Sequence, residues 1–443
     1  MLYWVDMEKT WCGRYLLIAG DILLTDMCAT LPVFYGKGYV SNSLYAISQL
    51  VHYPYRDPGT SWGIDFIPGR RTQYDDIFRL LPEQYLDYVS QTTHTRPLLP
   101  DGVMGFSSEE ERAEAFIEAF SRALKEMRRE FDGCRIVLPL TGGVDSRTIF
   151  SFLVRNEIPF SAITYAYPGI GDGDRLLPRE LCGLAGIPYE YITPTPCSRK
   201  EMKRRRDEYR IFTMGLDGDM TSKYHYSHRI YEGLYKTDKE QILVLGGSTW
   251  EICVNYYHRE GYHTGPFSNE TIESMEEIEE AFPDLKLRSN VAKRQAAVEW
   301  LEMIKAAPEN DVISDVNRLF WDLREGVWLG NDRSYDMYDG LHLIQPFNAR
   351  YFISIMYGFD AKDRMDKGHQ KKIIGRLCPR LSGIPYADDM AKEMPWCKVL
   401  AKAVAQRIRH EAEVIPYAIA NYGLMECIRY YLIKMRAKYM AKA

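Results

Sequence analysis

The segment IVLPLTGGVDSRTIF, residues 136–150, constrains the fold of this 443-residue chain more than any other. A short apolar strand leads into Thr141-Gly142-Gly143-Val144-Asp145-Ser146, the 141–146 turn, and a helical pattern begins at once. Two adjacent glycines let the backbone turn tightly and approach a ligand closely. Unpaired N–H groups at the start of the helix then point outward. The segment therefore predicts an anion cradle between a buried strand and a helix.

The side chains of the 141–146 turn favour a nucleotide as the anion. Thr141 and Ser146 supply hydroxyl groups, whereas the carboxylate of Asp145 would repel phosphate unless a divalent cation lay between them. The turn therefore predicts ATP with Mg²⁺, bound by Thr141, Gly142, Gly143, Asp145 and Ser146. It is not a Walker loop, because G-x-x-x-x-G-K-[ST] occurs nowhere in the chain. The alternative, a turn that merely uses glycines, is disfavoured by the strand before it and the helix after it.

Alternating strands and helices follow residue 133. Strands are predicted at 135–140, 161–167, 189–192 and 241–245, and helices at 148–156 and 176–185. Apolar strands that alternate closely with helices are typical of a parallel sheet covered by helices. From residue 272 onward helices dominate the pattern. The predicted fold class is therefore α/β, with a helical C-terminal part.

The region before this pattern, residues 1–95, is rich in tyrosine and β-branched residues. Gly, Pro and Asp separate strand-like runs at 15–19, 31–35 and 63–67, which predicts a small β-rich domain. Ser108 with Glu111 three residues later forms a capping box, so a helix is predicted from there to about residue 131. We place the boundary between residues 95 and 107, which gives domains 1–100 and 107–443.

A second glycine-rich loop, PGIGDGD at 168–174, also follows a strand and precedes a helix. Asp174 stands where a dinucleotide-binding fingerprint needs its third glycine, and a carboxylate there would face the pyrophosphate. Dinucleotide binding is therefore disfavoured, and we expect this loop to border the ATP site.

Composition and charge exclude several classes of protein. The net charge of −5 lacks the basic excess that proteins use to bind nucleic acid. No window approaches the roughly 20 apolar residues of a transmembrane segment, and no secretory signal is visible. Nine scattered cysteines without a C-x-x-C pair suggest neither a disulfide framework nor a thiolate zinc site. We therefore expect a cytoplasmic protein that does not bind nucleic acid.

The 141–146 turn resembles the SGGxDS signature of the PP-loop ATP pyrophosphatases, with Thr141 in place of the first serine. Other segments narrow the resemblance to the asparagine synthetases. They are LIAGD at 17–21, PVFY at 32–35, RTQYDDIFRLLP at 71–82, DRSYD at 332–336, QPFN at 345–348 and GHQKKIIGR at 368–376. The resemblance implies a synthetase domain that converts a small-molecule or peptide carboxylate to an acyl-adenylate with ATP, releases pyrophosphate and lets a nitrogen nucleophile displace AMP.

The same resemblance implies roles for individual residues. The departing pyrophosphate would be bound by the backbone amides of Gly142, Gly143 and Ser146. Asp145 would hold Mg²⁺ against its oxygens. Lys371, at the position of the family's catalytic lysine, would neutralise the α-phosphorus. Lys372 is the alternative, since one of two adjacent lysines on a helix usually faces solvent.

One departure from the family concerns the metal. Family members carry GEGSDE after a sheet strand, whereas this chain has LGGSTWE at 245–251, so that Trp250 replaces the metal-binding aspartate. Glu251 keeps the position of the following acid. We therefore predict Glu251 as a catalytic residue and as the second Mg²⁺ ligand beside Asp145, with an ordinary turn carrying a surface glutamate as the alternative.

Another departure concerns the nitrogen source. Glutamine-hydrolysing members carry a nucleophilic Cys directly after the initiator Met, and residue 2 here is Leu. Cys12 and Cys28 are internal and lack the α-amine that acts as the base. We expect a shortened, degenerate remnant of a glutamine amidotransferase-like domain of the Ntn-hydrolase type, without glutaminase activity. Ammonia, an amine substrate or a separate glutaminase would then supply the nitrogen.

The sequence therefore predicts an ATP-dependent, AMP-forming amide ligase that resembles asparagine synthetase. A macrolactam or β-lactam-type cyclase and a sugar-acid amidating enzyme are alternatives within that resemblance. A PP-loop enzyme that modifies tRNA is disfavoured, because neither cysteine pairs nor a basic face is evident. A catalytically impaired nucleotide-binding interaction protein is the alternative from another class, and Trp250 is the residue that favours it.

Overall fold

The computed structural model describes residues 12–53, 67, 69–99, 102–165, 170–192, 241–256, 272–281, 291–306, 313–330 and 342–392. Predictions that fall at 63–66, 166–169 and 332–336 therefore lie outside the described residues. The described part begins with seven short strands: β1 Leu16–Ala19, β2 Ile22–Thr25, β3 Phe34–Gly36, β4 Tyr39–Ser41, β5 Phe78–Arg79, β6 Gln84–Asp87 and β7 Thr92–Thr95.

These strands form two antiparallel sheets, in the orders β1-β2-β6-β7 and β4-β3-β5, with one short helix, α1, over Leu44–Leu50. The β-rich character predicted for this region is confirmed. The strand predicted at 31–35 begins only at Phe34, because the amides of Thr30 and Leu31 donate to the carboxylate of Asp26 and Pro32 has no N–H. The Ntn-hydrolase ancestry of the region stays a prediction.

Helix α2, Glu109–Glu130, links this region to the next and has the predicted start. The hydroxyl of Ser108 accepts a hydrogen bond from the amide of Glu111 at 3.1 Å. The Glu111 carboxylate reaches the amide of Ser107, one residue earlier than an ideal capping box requires. Phe116 and Phe120 on one face of α2 are fully buried.

The second half of the described chain is built on a five-stranded parallel sheet, which confirms the predicted α/β class. Its strands are β8 Arg135–Pro139, β9 Ser161–Tyr165, β10 Tyr189–Ile192, β11 Ile242–Leu245 and β12 His342–Ile344, in the order β10-β9-β8-β11-β12. The first four match the predicted strands closely. The fifth was missed, because it is three residues long and lies in the region predicted to be helical.

Two helices follow the first two strands of this sheet directly. Helix α3, Val144–Arg155, starts after Gly143, and helix α4, Asp172–Ala185, starts after Gly171. Both therefore begin four residues before the helical ranges predicted at 148–156 and 176–185. The reason is that both glycines are extended N-caps, so each helix starts at the end of its loop without further connecting residues.

The remaining helices are mostly short. They are α5 Met275–Ala281, α6 Val291–Lys305, α7 Asp315–Leu319, α8 Arg350–Met356, α9 Ala361–Met365, α10 Gly368–Leu377 and α11 Ala387–Lys392, with 3₁₀ turns over Ser248–Val254 and Pro379–Leu381 and a π-helix over Phe320–Leu329. In the part of the chain that the structure describes, no helix has the length and apolar character needed to cross a membrane.

Buried polar contacts join the N-terminal sheets to the rest of the chain. Asn348 donates to the fully buried carboxylate of Asp26 at 2.7 Å, and the guanidinium of Arg318 pairs with Glu83 at 2.9 Å. Met27, Cys28 and Leu98 belong to the same hydrophobic core as the α2 phenylalanines. The two predicted domains therefore share one continuous core. Removing one partner of a buried ion pair such as Arg318–Glu83 lowers the free energy of unfolding strongly.

Candidate functional site

The 141–146 turn lies at a topological switch point of the parallel sheet. The chain runs from β8 outward through β9 and β10, and then crosses back to place β11 on the other side of β8. The loops after β8 and β11 therefore leave the carboxyl edge of the sheet from adjacent strands. Ligands of open α/β sheets bind in the crevice at such a point.

Hydrogen bonds between the side chains and the backbone hold the turn closed. The amide of Thr141 donates to the hydroxyl of Ser146 at 3.1 Å, the two hydroxyl groups lie 3.1 Å apart, and the amide of Gly143 donates to the Thr141 hydroxyl at 3.3 Å. Gly143 is the N-cap of α3 and forms no side-chain capping bond. The first-turn amides of Val144, Asp145 and Ser146 therefore have no acceptor within the helix and are available to an anion.

Gly142 packs directly on the start of α4. A Cβ at residue 142 would lie 2.7 Å from the carbonyl oxygen of Gly173, which real Cβ atoms do not tolerate, so glycine is required here. The amide of Gly142 donates to Asp174 Oδ1 at 2.9 Å. Burial raises the pKa of Asp174, and this hydrogen bond opposes that rise. We predicted that the Gly142 amide binds pyrophosphate. In this conformation it donates to a carboxylate of the chain itself.

Asp145 contacts two residues that the sequence analysis did not single out. Lys367 Nζ lies 2.5 Å from Oδ2 of Asp145, and Gln370 Nε2 lies 3.0 Å from Oδ1. Lys367 is the N-cap of α10 and has a left-handed backbone, with φ of 55°. Its side chain is 8% exposed. Sequence spacing does not reveal this contact, because Lys367 precedes the first helical residue of α10 and has a left-handed backbone.

Lys371 lies beside the segment at Tyr386–Asp389. Its ammonium lies 4.9 Å from the centroid of the Tyr386 ring and 3.7 Å from Asp389 Oδ1. Ala387, which follows Tyr386, donates its amide hydrogen to the carbonyl of Gly142 at 3.0 Å. This hydrogen bond connects the segment to the turn. Lys372 instead pairs with Glu109 and Asp363, and its side chain is 53% exposed.

Arg147, in the first part of α3, supports the same segment from below. It is fully buried, donates to the carbonyls of Gly142, Ile384 and Pro385, and stacks on Tyr386 with 4.1 Å between Cζ and the ring centroid. Burial lowers the pKa of this guanidinium, although arginine remains charged at neutral pH. The cationic groups of Arg147 and Lys371 therefore both contact the Tyr386 ring beside the turn.

The loop after β11 forms the second wall of the crevice. A Cβ at Gly247 would lie 3.4 Å from the Ser146 amide nitrogen and 3.6 Å from Asp145 Cβ, so the two loops are in contact. Trp250 follows on the 3₁₀ turn, is fully buried, and stacks on Phe347 with 3.7 Å between ring centroids. Trp250 therefore belongs to the core. Glu251 is half-buried on the same turn, and its catalytic and metal-binding roles stay predictions.

The second wall also carries buried polar side-chain atoms. The hydroxyl groups of Ser248 and Thr249 and the indole N–H of Trp250 are buried without a hydrogen-bond partner among the residues that the structure describes. Buried polar groups in proteins are almost always hydrogen-bonded, and exceptions call for an explanation. Thr249 and Trp250 are fully buried, so of these three groups only the Ser248 hydroxyl belongs to a half-buried residue.

The residues present fit a phosphate chain better than a metal ion held by the protein. First-turn amides lie at the turn and the Lys367 ammonium contacts it, whereas both oxygens of Asp145 already accept hydrogen bonds. Within the described ranges there is no group of three or more His, Cys, Asp or Glu residues able to hold a metal ion. Magnesium prefers several oxygen ligands and usually reaches such sites on the phosphates of its substrate. We therefore assign no step to a resident Mg²⁺.

Comparison with known proteins gives little further guidance. No family model matches the chain. No curated protein matches it either. Among solved structures, a glutamine-dependent NAD⁺ synthetase from Acinetobacter baumannii in complex with ADP is similar over 41% of this chain, with 15% identity and a TM-score of 0.24. This chain spans about a third of that protein, 32% of its length.

Two further solved structures show similarity at the same low level. An NMN synthetase from Francisella tularensis matches 63% of this chain and 98% of its own, with 15% identity and a TM-score of 0.24. The U34-tRNA thiolase NcsA from Methanococcus maripaludis, with its [4Fe-4S] cluster, matches 65% and 87%, with 12% identity and a TM-score of 0.22.

Proposed function

We propose that this chain is an ATP-dependent ligase that forms AMP and pyrophosphate and joins a carboxylate to ammonia or an amine. The observation that carries the proposal is the position of the 141–146 turn. It lies at the switch point of a parallel sheet and at an uncapped helix start, with the Lys367 ammonium on Asp145. The Lys371 ammonium lies over Tyr386, whose neighbour Ala387 bonds Gly142. The turn also resembles the PP-loop signature, and this resemblance supports ATP as the anion that binds there.

The proposed reaction has two steps. A carboxylate oxygen of the substrate attacks the α-phosphorus of ATP, and the bond to the bridging oxygen breaks, which releases pyrophosphate. An amine nitrogen then attacks the acyl carbon, AMP leaves with the electron pair of the C–O bond, and the nitrogen gives up a proton. Atoms and charge balance without any redox partner. The Mg²⁺ that accompanies ATP enters as part of the substrate.

The residues of the crevice divide these tasks. The first-turn amides of α3 and the Lys367 ammonium stabilise charge that grows on the departing pyrophosphate, as fixed donors do at sites of developing charge. Lys371, on the side of Tyr386, is the candidate for the oxygens of the α-phosphate. Glu251 on the second wall is the candidate to accept the proton of the attacking amine.

The chemistry of the described cysteines supports a nitrogen source other than glutamine. Burial raises the pKa of Cys28 well above its ordinary value, and burial likewise raises the pKa of Cys12 to about 11. Both side chains are therefore thiols at neutral pH, and a thiol is a poor nucleophile compared with a thiolate. We propose that ammonia or a substrate amine reacts directly with the acyl-adenylate.

The test is exchange of labelled pyrophosphate into ATP with pools of amino acids, sugar acids and acidic peptides. We expect carboxylate-dependent exchange and equal release of AMP and pyrophosphate when an amine is added. Asp145→Asn should abolish exchange, because Lys367 loses the carboxylate that orients it, whereas Lys372→Met should not. Formation of ADP and phosphate would contradict the proposal.

One observation keeps a second function in view. Trp250 is a buried core side chain. It stands at the position where the asparagine synthetases, which this chain resembles, carry an acid. An ATP-binding interaction protein would bind nucleotide at the 141–146 turn and show no exchange with any carboxylate pool. Tight ATP binding together with complete absence of exchange across all pools would favour that second function.

A further inference from the structure

We propose that the ammonium group of Lys367 is the resident cation of the phosphate site and contacts the pyrophosphate portion of ATP directly. In this inference the chain binds pyrophosphate without holding a divalent cation of its own. It rests on the proposed function, because it names the residue that receives the leaving group. It also goes further, since the sequence predicts that Mg²⁺ held by Asp145 and Glu251 performs that task.

The position of Lys367 carries the first part of the argument. Asp145 is the second residue of α3, so its carboxylate lies beside the first-turn amides. Lys367 Nζ is 2.5 Å from that carboxylate. Only the short side chain of Asp145 therefore separates the ammonium group from the first-turn amides. An ammonium has three N–H donors and Asp145 uses one or two of them. At least one donor remains to meet a phosphate oxygen at the helix start.

The environment of Lys367 carries the second part. Its side chain is 8% exposed, and lysine is rarely buried so deeply unless its charge is paired. Asp145 supplies that pairing, and Gln370 fixes the other carboxylate oxygen at 3.0 Å. The ammonium is therefore held in one place before any ligand arrives. A preorganised charge of this kind stabilises a developing anion without the cost of reorganisation.

The backbone at Lys367 points the same way. A φ of 55° is left-handed, a conformation that glycine and asparagine adopt more readily than lysine. The carbonyl of Lys367 nevertheless accepts from the amide of Lys371 and its own amide donates to Arg364, so the conformation is fixed at both ends. The Lys367 ammonium is thus held at Asp145 by a backbone that is itself hydrogen-bonded.

The acidic residues around the turn leave a cation role for the protein to fill. Asp145 is committed to Lys367 and Gln370. Asp174 accepts from the Gly142 amide, and Asp389 faces Lys371. The position of the second metal acid in the asparagine synthetases is the buried Trp250. A lysine that pairs with one carboxylate and contacts phosphate does the electrostatic work of a divalent ion bridging the two. This substitution explains why a tryptophan is compatible with the site.

Binding of inorganic pyrophosphate in EDTA, measured by isothermal titration calorimetry, tests the inference. The full chain is compared with Lys367→Met, which keeps the side-chain length and removes the charge, and with Lys367→Arg, which keeps the charge. Lys372→Met, on the same helix but paired with Glu109 at the surface, is the matched control. Thermal unfolding of each variant establishes that it is folded. If Lys367→Met is not folded, the comparison of Lys367→Arg with the wild type tests the inference.

We expect the wild-type chain to bind pyrophosphate in EDTA, with binding at least about tenfold weaker in Lys367→Met, because a charge-assisted hydrogen bond is lost. Lys367→Arg should stay within about threefold of wild type, and the surface control within about twofold. Equal binding by Lys367→Met, loss of binding in Lys367→Arg, or wild-type binding only with Mg²⁺ would overturn this inference and leave the proposed function standing. If the wild type binds neither pyrophosphate nor ATP even with Mg²⁺, the proposed function fails as well.

Discussion

The indole ring of Trp250 lies flat on the ring of Phe347, with 3.7 Å between centroids and 11° between planes. Trp250 follows β11 and Phe347 follows β12, so the stack joins the loops after two adjacent strands. Phe116 of α2 packs edge-on against both rings. The stack therefore fixes the second wall of the crevice to the hydrophobic core.

Introducing an acid at position 250 should unfold the second wall without creating a metal site. Trp250→Asp removes a large buried ring and leaves a carboxylate in an apolar core, so we expect a loss of about 3–5 kcal/mol or more in the free energy of unfolding. Trp250→Phe should lose clearly less. Urea unfolding measures the stability, and Mn²⁺ binding measures the metal. A stable Trp250→Asp protein that binds Mn²⁺ tightly would contradict this assignment of Trp250.

Close packing at Gly142 gives a prediction with an internal control. Gly142→Ala drives a Cβ to 2.7 Å from a backbone oxygen of Gly173, so the turn must move off the start of α4. We expect ATP affinity to fall by about tenfold to a hundredfold. Gly183→Ala, on an exposed position of the same helix with nothing within 4 Å, should stabilise the chain by roughly 0.5–1 kcal/mol and leave ATP binding unchanged. Equal ATP affinity in the two variants would show that the turn does not need its glycine.

The buried imidazole of His369 makes stability depend on pH. Burial, with smaller effects from Arg364 and Lys367, lowers its pKa from 6.5 to about 3. The unfolded chain therefore takes up a proton below pH 6.5 that the folded chain refuses, so stability is complete above 6.5 and is lost as the pH falls toward 3. Near pH 5 this single group should cost about 2 kcal/mol relative to neutral pH.

The variant His369→Gln isolates that contribution. The difference in unfolding free energy between pH 7 and pH 5, from urea titrations, should shrink by about the same amount. His342→Gln, at an exposed position, should keep the wild-type difference. An unchanged pH dependence in His369→Gln would mean that the imidazole is protonated in the folded chain.

The nitrogen source can be tested on the chain as it stands. Because Cys12 and Cys28 remain protonated thiols at neutral pH, glutamine should serve no better than an equal concentration of ammonium. Amide formation is followed with the carboxylate that supports pyrophosphate exchange, and Cys28→Ser should leave the rate within about twofold. A strong preference for glutamine that Cys28→Ser removes would contradict the account of the N-terminal region.

Local patterns predicted much of the fold, whereas long-range contacts decided the site. Strands β8 to β11 and the cap of α2 follow from apolar runs, glycines and Ser108, which act within a few residues. Strand β12 has three residues, too short for a pattern to identify it. The pairing of Lys367 with Asp145 spans 222 positions and depends on a left-handed lysine before α10, which no periodicity reveals. The sequence therefore located the turn and missed the cation that completes it.

A crystal structure with α,β-methylene-ATP, which cannot be cut at the α–β bond, tests the central claim most directly. The account predicts β- and γ-phosphate oxygens within hydrogen-bond distance of the Val144–Ser146 amides, with Lys367 Nζ in contact with one of them. A nucleotide bound elsewhere, or phosphates that avoid the start of α3, would contradict it.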